Sequence, residues 1–329
     1  MKLADRVIDV LVDYSQGLIT TQKLTAAGAL IIAFALLSVV SDLVMYVYVH
    51  FLRPGKSLKH AYGEWAVVTG ATDGIGKAMA FEFARKGLNV VLISRTKSKL
   101  DDCATEIKAK YKNIEVRVLD IDFSNFNESE RKRVAAIVAD INVGVLVNNV
   151  GQSYPYPMYF HELPDSSVEQ LMSVNTHSMT WMTRVVLPKM VERKKGAVVN
   201  IASAAGVANS PLLSEYGASK SYVAMFTRAM HYEYESKGIS FQCQVPMYVT
   251  TKLAKLKRTT IWTCSEKAYA VAAVKAIGYE ALISPYWSHA IQIWFSQVLP
   301  DWIIAKYVIL PMHLSIRKAG LKKAAEKKA

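Results

Sequence analysis

Tyr216 and Lys220, in the run Tyr-Gly-Ala-Ser-Lys, are the residues of this chain whose types and spacing are best suited to do chemistry. On a helix that spacing puts both side chains on one face. A phenol with a pKa near ~10 is a poor acid–base at neutral pH. An ammonium one turn away favours the phenolate and lowers that value, which suits proton exchange with a substrate oxygen. Ser203 lies upstream, just past an apolar run. Its hydroxyl can donate a hydrogen bond to a carbonyl oxygen on which charge develops during hydride transfer. Tyr and Lys are common on helices, so the pair gains weight only from what precedes it.

What precedes it is a glycine loop, Thr69-Gly70-Ala71-Thr72-Asp73-Gly74-Ile75-Gly76, directly after the apolar run Trp65–Thr69. A pyrophosphate needs a tight turn that brings backbone N–H groups and a helix N-terminus close to it. A side chain at Gly70, Gly74 or Gly76 would obstruct the turn, the approach or the helix–strand packing. Gly70, Thr72, Asp73, Gly74, Ile75 and Gly76 are therefore candidate cofactor contacts. The next apolar run ends in Ser94-Arg95, with no acidic residue until Asp101. A cation at that point suits a 2′-phosphate and predicts NADP(H) over NAD(H).

These residues need a scaffold, and the rest of the chain predicts one. Trp65–Thr69, Asn89–Ser94, Glu115–Asp120, Gly144–Asn148, Ala197–Ala202 and Ser240–Val245 are short, rich in Val and Ile, and read as strands. Amphipathic segments such as Ile75–Lys86, Lys97–Tyr111 and Glu215–Lys237 alternate with them. The alternation predicts an α/β fold: a Rossmann-type doubly wound parallel sheet with helices on both faces. It is preceded by an N-terminal transmembrane helix. Leu24 to Ser41 runs 18 residues without a charge, and a second apolar run, Leu43 to Phe51, follows the lone Asp42. Asp42 either ends the span or makes it re-entrant. Arg53, Lys56 and Lys59 follow, which by the positive-inside bias puts the α/β domain in the cytosol. The predicted organisation is an anchor and basic linker over 1–60, the α/β domain over 61–284, and an apolar lobe with a basic tail over 285–329.

Composition agrees with a membrane element and anionic partners. Of 329 residues, 52% are hydrophobic, and 40 Lys+Arg against 27 Asp+Glu give a net charge of +13. No nucleic-acid motif is present, so nucleic acid is not an expected partner. Cys103, Cys243 and Cys264 are odd in number and widely spaced, which excludes zinc spacing, disfavours a disulfide framework and suits a reducing compartment. No metal site is expected.

Taken together, Thr69–Gly76, Asn148–Gly151 (Asn-Asn-Val-Gly), Val174-Asn175, Ser203 and Tyr216–Lys220 resemble the short-chain dehydrogenase/reductases over roughly Glu64 to Ser284. The resemblance implies that Tyr216 donates the proton, Ser203 orients the carbonyl, and Lys220 binds the nicotinamide ribose and tunes Tyr216. It implies that Asn175 holds a proton-relaying water and that Asn148 closes the cofactor pocket and steadies the sheet. Asp122 matches the acidic residue near the adenine, and Thr251 the threonine that contacts the carboxamide. Where many members have Pro-Gly, this chain has Pro246-Met247, which puts cofactor contacts there in question. A homodimer through the helices preceding and containing Tyr216 is common in that fold.

Thr72–Ala78, Tyr154–Pro157, Leu187–Val199, Tyr234–Ile239 and Thr251–Lys255 resemble a narrower branch. It comprises the microsomal very-long-chain 3-oxoacyl-CoA reductases, also called type-12 17β-hydroxysteroid dehydrogenases. That resemblance implies a lipid-like substrate (an acyl-CoA or a steroid), a fatty-acid elongation complex as partner, and the endoplasmic-reticulum membrane. A sister branch, the hydroxysteroid dehydrogenase-like proteins, shares a stretch like Tyr286–His289 and can lack the catalytic tyrosine; a silent membrane scaffold is therefore the third reading. Lys252, Lys255, Lys257 and Arg258 form a basic cluster suited to coenzyme A phosphates or to anionic lipid. Beyond Pro285 the apolar pieces, interrupted by Pro300 and Pro311, are too short to span a bilayer. They read as a lipid-facing lobe, the wall of an acyl channel, or a core or dimer contact. Lys327 sits third from the end after Ala325-Glu326, an incomplete di-lysine retrieval signal.

Overall fold

Residues 2–254, 256 and 258–326 are described by a computed structural model. Lys255 and Lys257 of the basic cluster, and Lys327 and Lys328 of the tail, lie outside the described residues. The chain forms two units, Met1–Arg53 and Pro54–Ala329. The first is one helix, α1 (Lys2–Val47), ending in a π-helical turn over Tyr48–Leu52. Asp42 does not interrupt it. Arg6–Leu52 carries a window of mean hydropathy 2.4 that is not buried anywhere in the protein. This is longer and more apolar than a bilayer crossing requires.

The second unit opens with one short turn, α2 (Leu58–Ala61). It then winds strands β1 (Trp65–Thr69), β2 (Asn89–Ser94), β3 (Val116–Asp120), β4 (Val143–Asn148), β5 (Gly196–Ile201), β6 (Ile239–Gln244) and β7 (Leu282–Ile283) into a sheet of order β3-β2-β1-β4-β5-β6-β7. Every pairing is parallel. The chain winds outward from β1 first to one side and then to the other, so β1 and β4 bracket the switch point where such sheets bind ligands.

Alternate side chains serve the two faces. Val68, Leu92, Val147 and Val199 pack with Met79 and Phe83 of α3 (Gly74–Arg85), Leu100 of α4 (Lys97–Lys110) and Tyr269 of α9 (Glu266–Ala276). Val67, Ile93, Leu146 and Val198 face the other way. They meet Val134 of α5 (Glu128–Ile137) and Met182 and Met190 of α7 (Ser178–Glu192). Burial on both sides explains why these strands read as unbroken apolar runs rather than alternating ones. α6 (Asp165–Met172) precedes α7, and α8 (Ser214–Tyr234) lies against β6 through Val223 and Cys243. Local caps set the starts: Asn127 Oδ1 accepts from Glu130 N, and Ser265 Oγ from Ala268 N.

After β7 come α10 (Trp287–Val298), α11 (Asp301–Ile303), a π-helical turn over Ile304–Ile309 and α12 (Leu310–Glu326). The chain bends by 111° between α10 and the segment from Asp301. Pro300 leaves no N–H to continue the first helix, so the break falls there.

Candidate active site

The two ends of the switch point are stitched together by one hydroxyl and one amide. Thr69 Oγ1 accepts from the N–H groups of Asn149 (3.0 Å) and Val150 (3.1 Å). Asn149 Nδ2 donates to the Thr69 and Gly70 carbonyls at 3.0 and 3.4 Å. The glycine loop is therefore held against the end of β4. Gly70 and Gly74 have φ of +65° and +56°, a region L side chains avoid. A Cβ on Gly76 would lie 2.3 Å from the Gly70 carbonyl oxygen. What results is a cradle of bare backbone at the start of α3.

Around this cradle opens a cleft of about 750 Å³. Gly70, Thr72, Asp73, Gly74, Ile75, Arg95, Asp122 and Thr251 line it, while Gly76 packs beneath. Thr72 Oγ1 meets Ser94 Oγ at 2.9 Å, tying the loop to β2. Asp122 Oδ1 accepts from Ser124 N and Oγ at 3.0 and 2.8 Å. Burial opposes its charge, but those two hydrogen bonds and the Arg95 guanidinium outweigh it and hold the carboxyl below its ordinary range. Thr251 Oγ1 accepts from Ala254 N at 3.0 Å, and its methyl lies against Gly74. A cradle that any Cβ would fill, opening beside a guanidinium, fits the pyrophosphate and ribose of a nicotinamide dinucleotide.

One expectation needs correction here. Asn148 does not face the cleft. As a β4 residue it points into the sheet's other side, where Nδ2 donates to Thr183 Oγ1 and Asn200 Oδ1 at 3.0 and 2.8 Å. Its neighbour Asn149, one residue past the strand, lines the cleft instead. Lys252 of the basic cluster pairs its ammonium with Asp73 at 2.7 Å, at the mouth of the cleft.

The four residues with chemistry lie just beyond the cleft's lining, next to Gly151 and Gln152. β5 delivers Ser203, whose Oγ accepts from Ala205 N at 3.2 Å and bonds the Tyr216 hydroxyl. Between α6 and α7 a π-helical turn, Ser173–His177, accommodates one extra residue and turns Asn175 inward. Asn175 is buried. Its Oδ1 accepts from Gln152 N (2.8 Å), and its Nδ2 donates to Gln152 O (3.0 Å) and Ser219 Oγ (2.9 Å). Ser219 Oγ in turn donates to the Tyr216 carbonyl at 2.7 Å. A Cβ on Gly151 would stand 3.2 Å from Lys220 Nζ and 3.4 Å from Asn175 Oδ1, so both polar groups converge on that glycine.

Burial raises the Tyr216 pKa above its ordinary value, the bond to Ser203 opposes this, and the nearby Tyr248 phenol adds to the rise. This departs from the expected lowering. The reason is placement: Lys220 Nζ sits 5.9 Å from the ring centroid and donates to the Ile201 carbonyl rather than to the phenol. Burial pushes the Lys220 ammonium itself down to about 8.

Two features lie outside the expected set. His289 is fully buried on α10; its Nδ1 accepts from Met247 N at 3.3 Å and its Nε2 faces Tyr248 O at 3.2 Å. A backbone N–H can only donate, so Nε2 carries the proton. The imidazole thereby fixes the segment where the chain departs from Pro-Gly. The second feature is α12, which closes over the loops flanking Tyr216. His313 Nδ1 donates to Pro211 O at 2.6 Å, Arg317 Nη2 donates to Glu162 Oε1 at 2.5 Å, and Gly320 packs on the Tyr156 ring. Tyr154 OH, from the same loop, accepts from Glu215 N at 2.9 Å, next to the catalytic candidate.

Comparison with known proteins agrees with this architecture. Residues 64–262 match the short chain dehydrogenase family model. A very-long-chain 3-oxoacyl-CoA reductase of Bos taurus is 45% identical over 263 residues, 79% of this chain and 83% of that protein. The inactive hydroxysteroid dehydrogenase-like protein 1 of Homo sapiens is 42% identical over 289 residues, 86% of this chain and 87% of that protein. A short-chain dehydrogenase from Sphingobium yanoikuyae in complex with NADPH superposes with a TM-score of 0.58 over 64% of this chain and 82% of that one, at 28% identity. The chain therefore belongs to the short-chain dehydrogenases, a family of NAD(P)-dependent oxidoreductases.

Proposed function

We propose that the chain is an NADPH-dependent reductase of very-long-chain 3-oxoacyl-CoA, forming the 3-hydroxyacyl-CoA in fatty-acid elongation. The observation that carries this reading is the convergence of Asn175, Ser203, Tyr216 and Lys220 beside the Gly151 wall of the cleft, in a chain 45% identical to such a reductase. The glycine cradle, Asp122 and Thr251 hold the dinucleotide, Arg95 takes the 2′-phosphate, and Lys220 takes the nicotinamide ribose. When bound, the reduced nicotinamide supplies the hydride for the keto carbon.

The chain's own residues handle the oxygen. Ser203 Oγ donates to the ketone oxygen and fixes it beside the Tyr216 hydroxyl. Tyr216, kept protonated by its burial, gives its phenolic proton to that oxygen as charge develops there. Lys220 then replaces the proton on the phenolate, and Asn175 steadies the loop from which a relay water reaches Lys220. α1 anchors the protein in the endoplasmic-reticulum membrane, with the α/β unit on the cytosolic side.

The test is NADPH oxidation by the detergent-solubilised full chain, with a long-chain 3-oxoacyl-CoA and estrone in parallel and Tyr216→Phe as control. Acyl-CoA turnover that disappears in the variant supports the reading. Turnover of estrone alone makes the chain a ketosteroid reductase, and NADPH binding without turnover of either makes it a scaffold.

A further inference from the structure

α10 has two unlike faces. Ser288, His289 and Ile293 are buried against the α/β core, whereas Trp294, Phe295 and Val298 are exposed on the other side. At the proline break Leu299 and Trp302 are exposed as well, Trp302 at 62%. Trp262, on the loop after β6, adjoins α10: Gln292 Nε2 of that helix donates to the Trp262 carbonyl at 3.1 Å. Three exposed tryptophans on and beside this bent helix pair are unusual for water-facing elements.

We propose that this surface is a lipid-bilayer contact belonging to the α/β unit itself, seated in the headgroup region of an anionic membrane. The proposal rests on the membrane part of the reading above and not on its chemistry. Three observations select lipid as the occupant. α10 has 12 residues, about 18 Å of helix, which is too short to cross an apolar core of ~30 Å. The bend of 111° prevents the following helix from completing a straight crossing, which suits a pair lying along an interface. Tryptophan is the side chain favoured at headgroup depth. The cations beyond the patch, Lys306, Lys318, Lys322 and Lys323, are exposed and outnumber the two acids, Asp301 and Glu326. They complement anionic headgroups. A second copy docked through the same patch would set these cations against one another.

The tryptophans make the test selective. The chain has six, at 65, 181, 262, 287, 294 and 302, and none lies within the first 53 residues. Fluorescence quenching by labelled lipid therefore reports on the α/β unit, not on α1. The full chain is reconstituted in nanodiscs of mixed neutral and anionic lipid carrying a nitroxide either near the headgroup or deep in the acyl chain. The expected result is strong quenching by the shallow label, weaker quenching by the deep one, and loss of most of the quenching in the triple variant Trp262→Phe, Trp294→Phe, Trp302→Phe. Near-UV circular dichroism confirms that the variant is folded; a single Trp302→Phe variant, with partial loss, serves if the triple variant is not. Emission indifferent to both labels overturns the proposal, as does quenching that the folded triple variant retains. No substrate is present, so a chain that reduces no acyl-CoA can still be quenched. Turnover without quenching defeats only this proposal.

Discussion

Lys220 Nζ donates to the carbonyl of Ile201, the last residue of β5, at 3.0 Å, and stands 5.9 Å from the centre of the Tyr216 ring. This ammonium is buried, and among the described residues its hydrogen bond runs to a carbonyl rather than to a carboxylate. Its folded value of about 8 lies below its ordinary 10.5. Folding therefore opposes its protonation, and stability rises as pH climbs from about 8 towards 10.5.

Lys220→Met should accordingly raise the ligand-free melting temperature at pH 7, by the equivalent of about 1–3 kcal/mol. The gain should vanish once the pH exceeds the ordinary lysine value. Turnover should fall by about 10²–10⁴ over the same comparison. Thermal melts at pH 7 and above 10.5, run beside the NADPH assay, check both parts; a variant less stable at pH 7 contradicts the account.

His289 has the opposite practical consequence. Burial pushes its value down to about 4 from 6.5. Its contribution is present above pH 6.5 and is lost as the pH falls from there towards 4. His289→Phe leaves Met247 N–H and Tyr248 C=O without the imidazole, at a cost of about 1–3 kcal/mol. The variant should be less stable at pH 7, yet its stability should fall less steeply between pH 6.5 and 4. Urea titrations at several pH values measure this.

Arg95 is exposed and lines the cleft beside Asp122. Arg95→Asp should raise the KM for NADPH by about tenfold or more, each factor of ten being about 1.4 kcal/mol, and improve that for NADH. Unchanged cofactor preference in steady-state kinetics rules out a 2′-phosphate contact.

Gly76→Ala should disable the cleft outright. The new Cβ would meet both the Gly70 carbonyl oxygen and, at 2.4 Å, Asn149 Nδ2, and neither can withdraw without undoing the stitch between β1 and β4. A loss of about 2–4 kcal/mol and of NADPH binding is expected. Gly87→Ala is the control: its φ is +83° but nothing lies within 4 Å, so it costs only the backbone strain of about 1–2 kcal/mol. Dye-monitored melts with and without NADPH separate the two.

The sheet was legible because strands buried on both faces must be apolar throughout, and Trp65–Thr69 or Asn89–Ser94 have no other reading. β7, with two residues, carries no period to detect. The glycine loop was legible because its backbone geometry admits few alternatives. Assigning the pocket to Asn148 failed on strand parity. Residue 148 is the last of β4 and points into the sheet, so the residue after it turns towards the cleft. His289 and Arg317 escaped because their partners, Met247 and Glu162, are 42 and 155 residues away in sequence, and no local spacing announces such pairs. The lowered phenol expected from the four-residue spacing missed Ile201, which takes the lysine's hydrogen bond.

The contact between His313 and Pro211 spans 102 residues, and it fixes an order of events during synthesis. The glycine cradle and β4 leave the ribosome well before α12. Tyr216 is made well before Leu310–Glu326 exists to cover the loops beside it. The nascent protein thus passes through a stage in which the loops beside Tyr216 exist without the helix that covers them. A chain halted before Leu310 would lack the bonds from His313 to Pro211 and from Arg317 to Glu162, and the loops beside Tyr216 would stand uncovered.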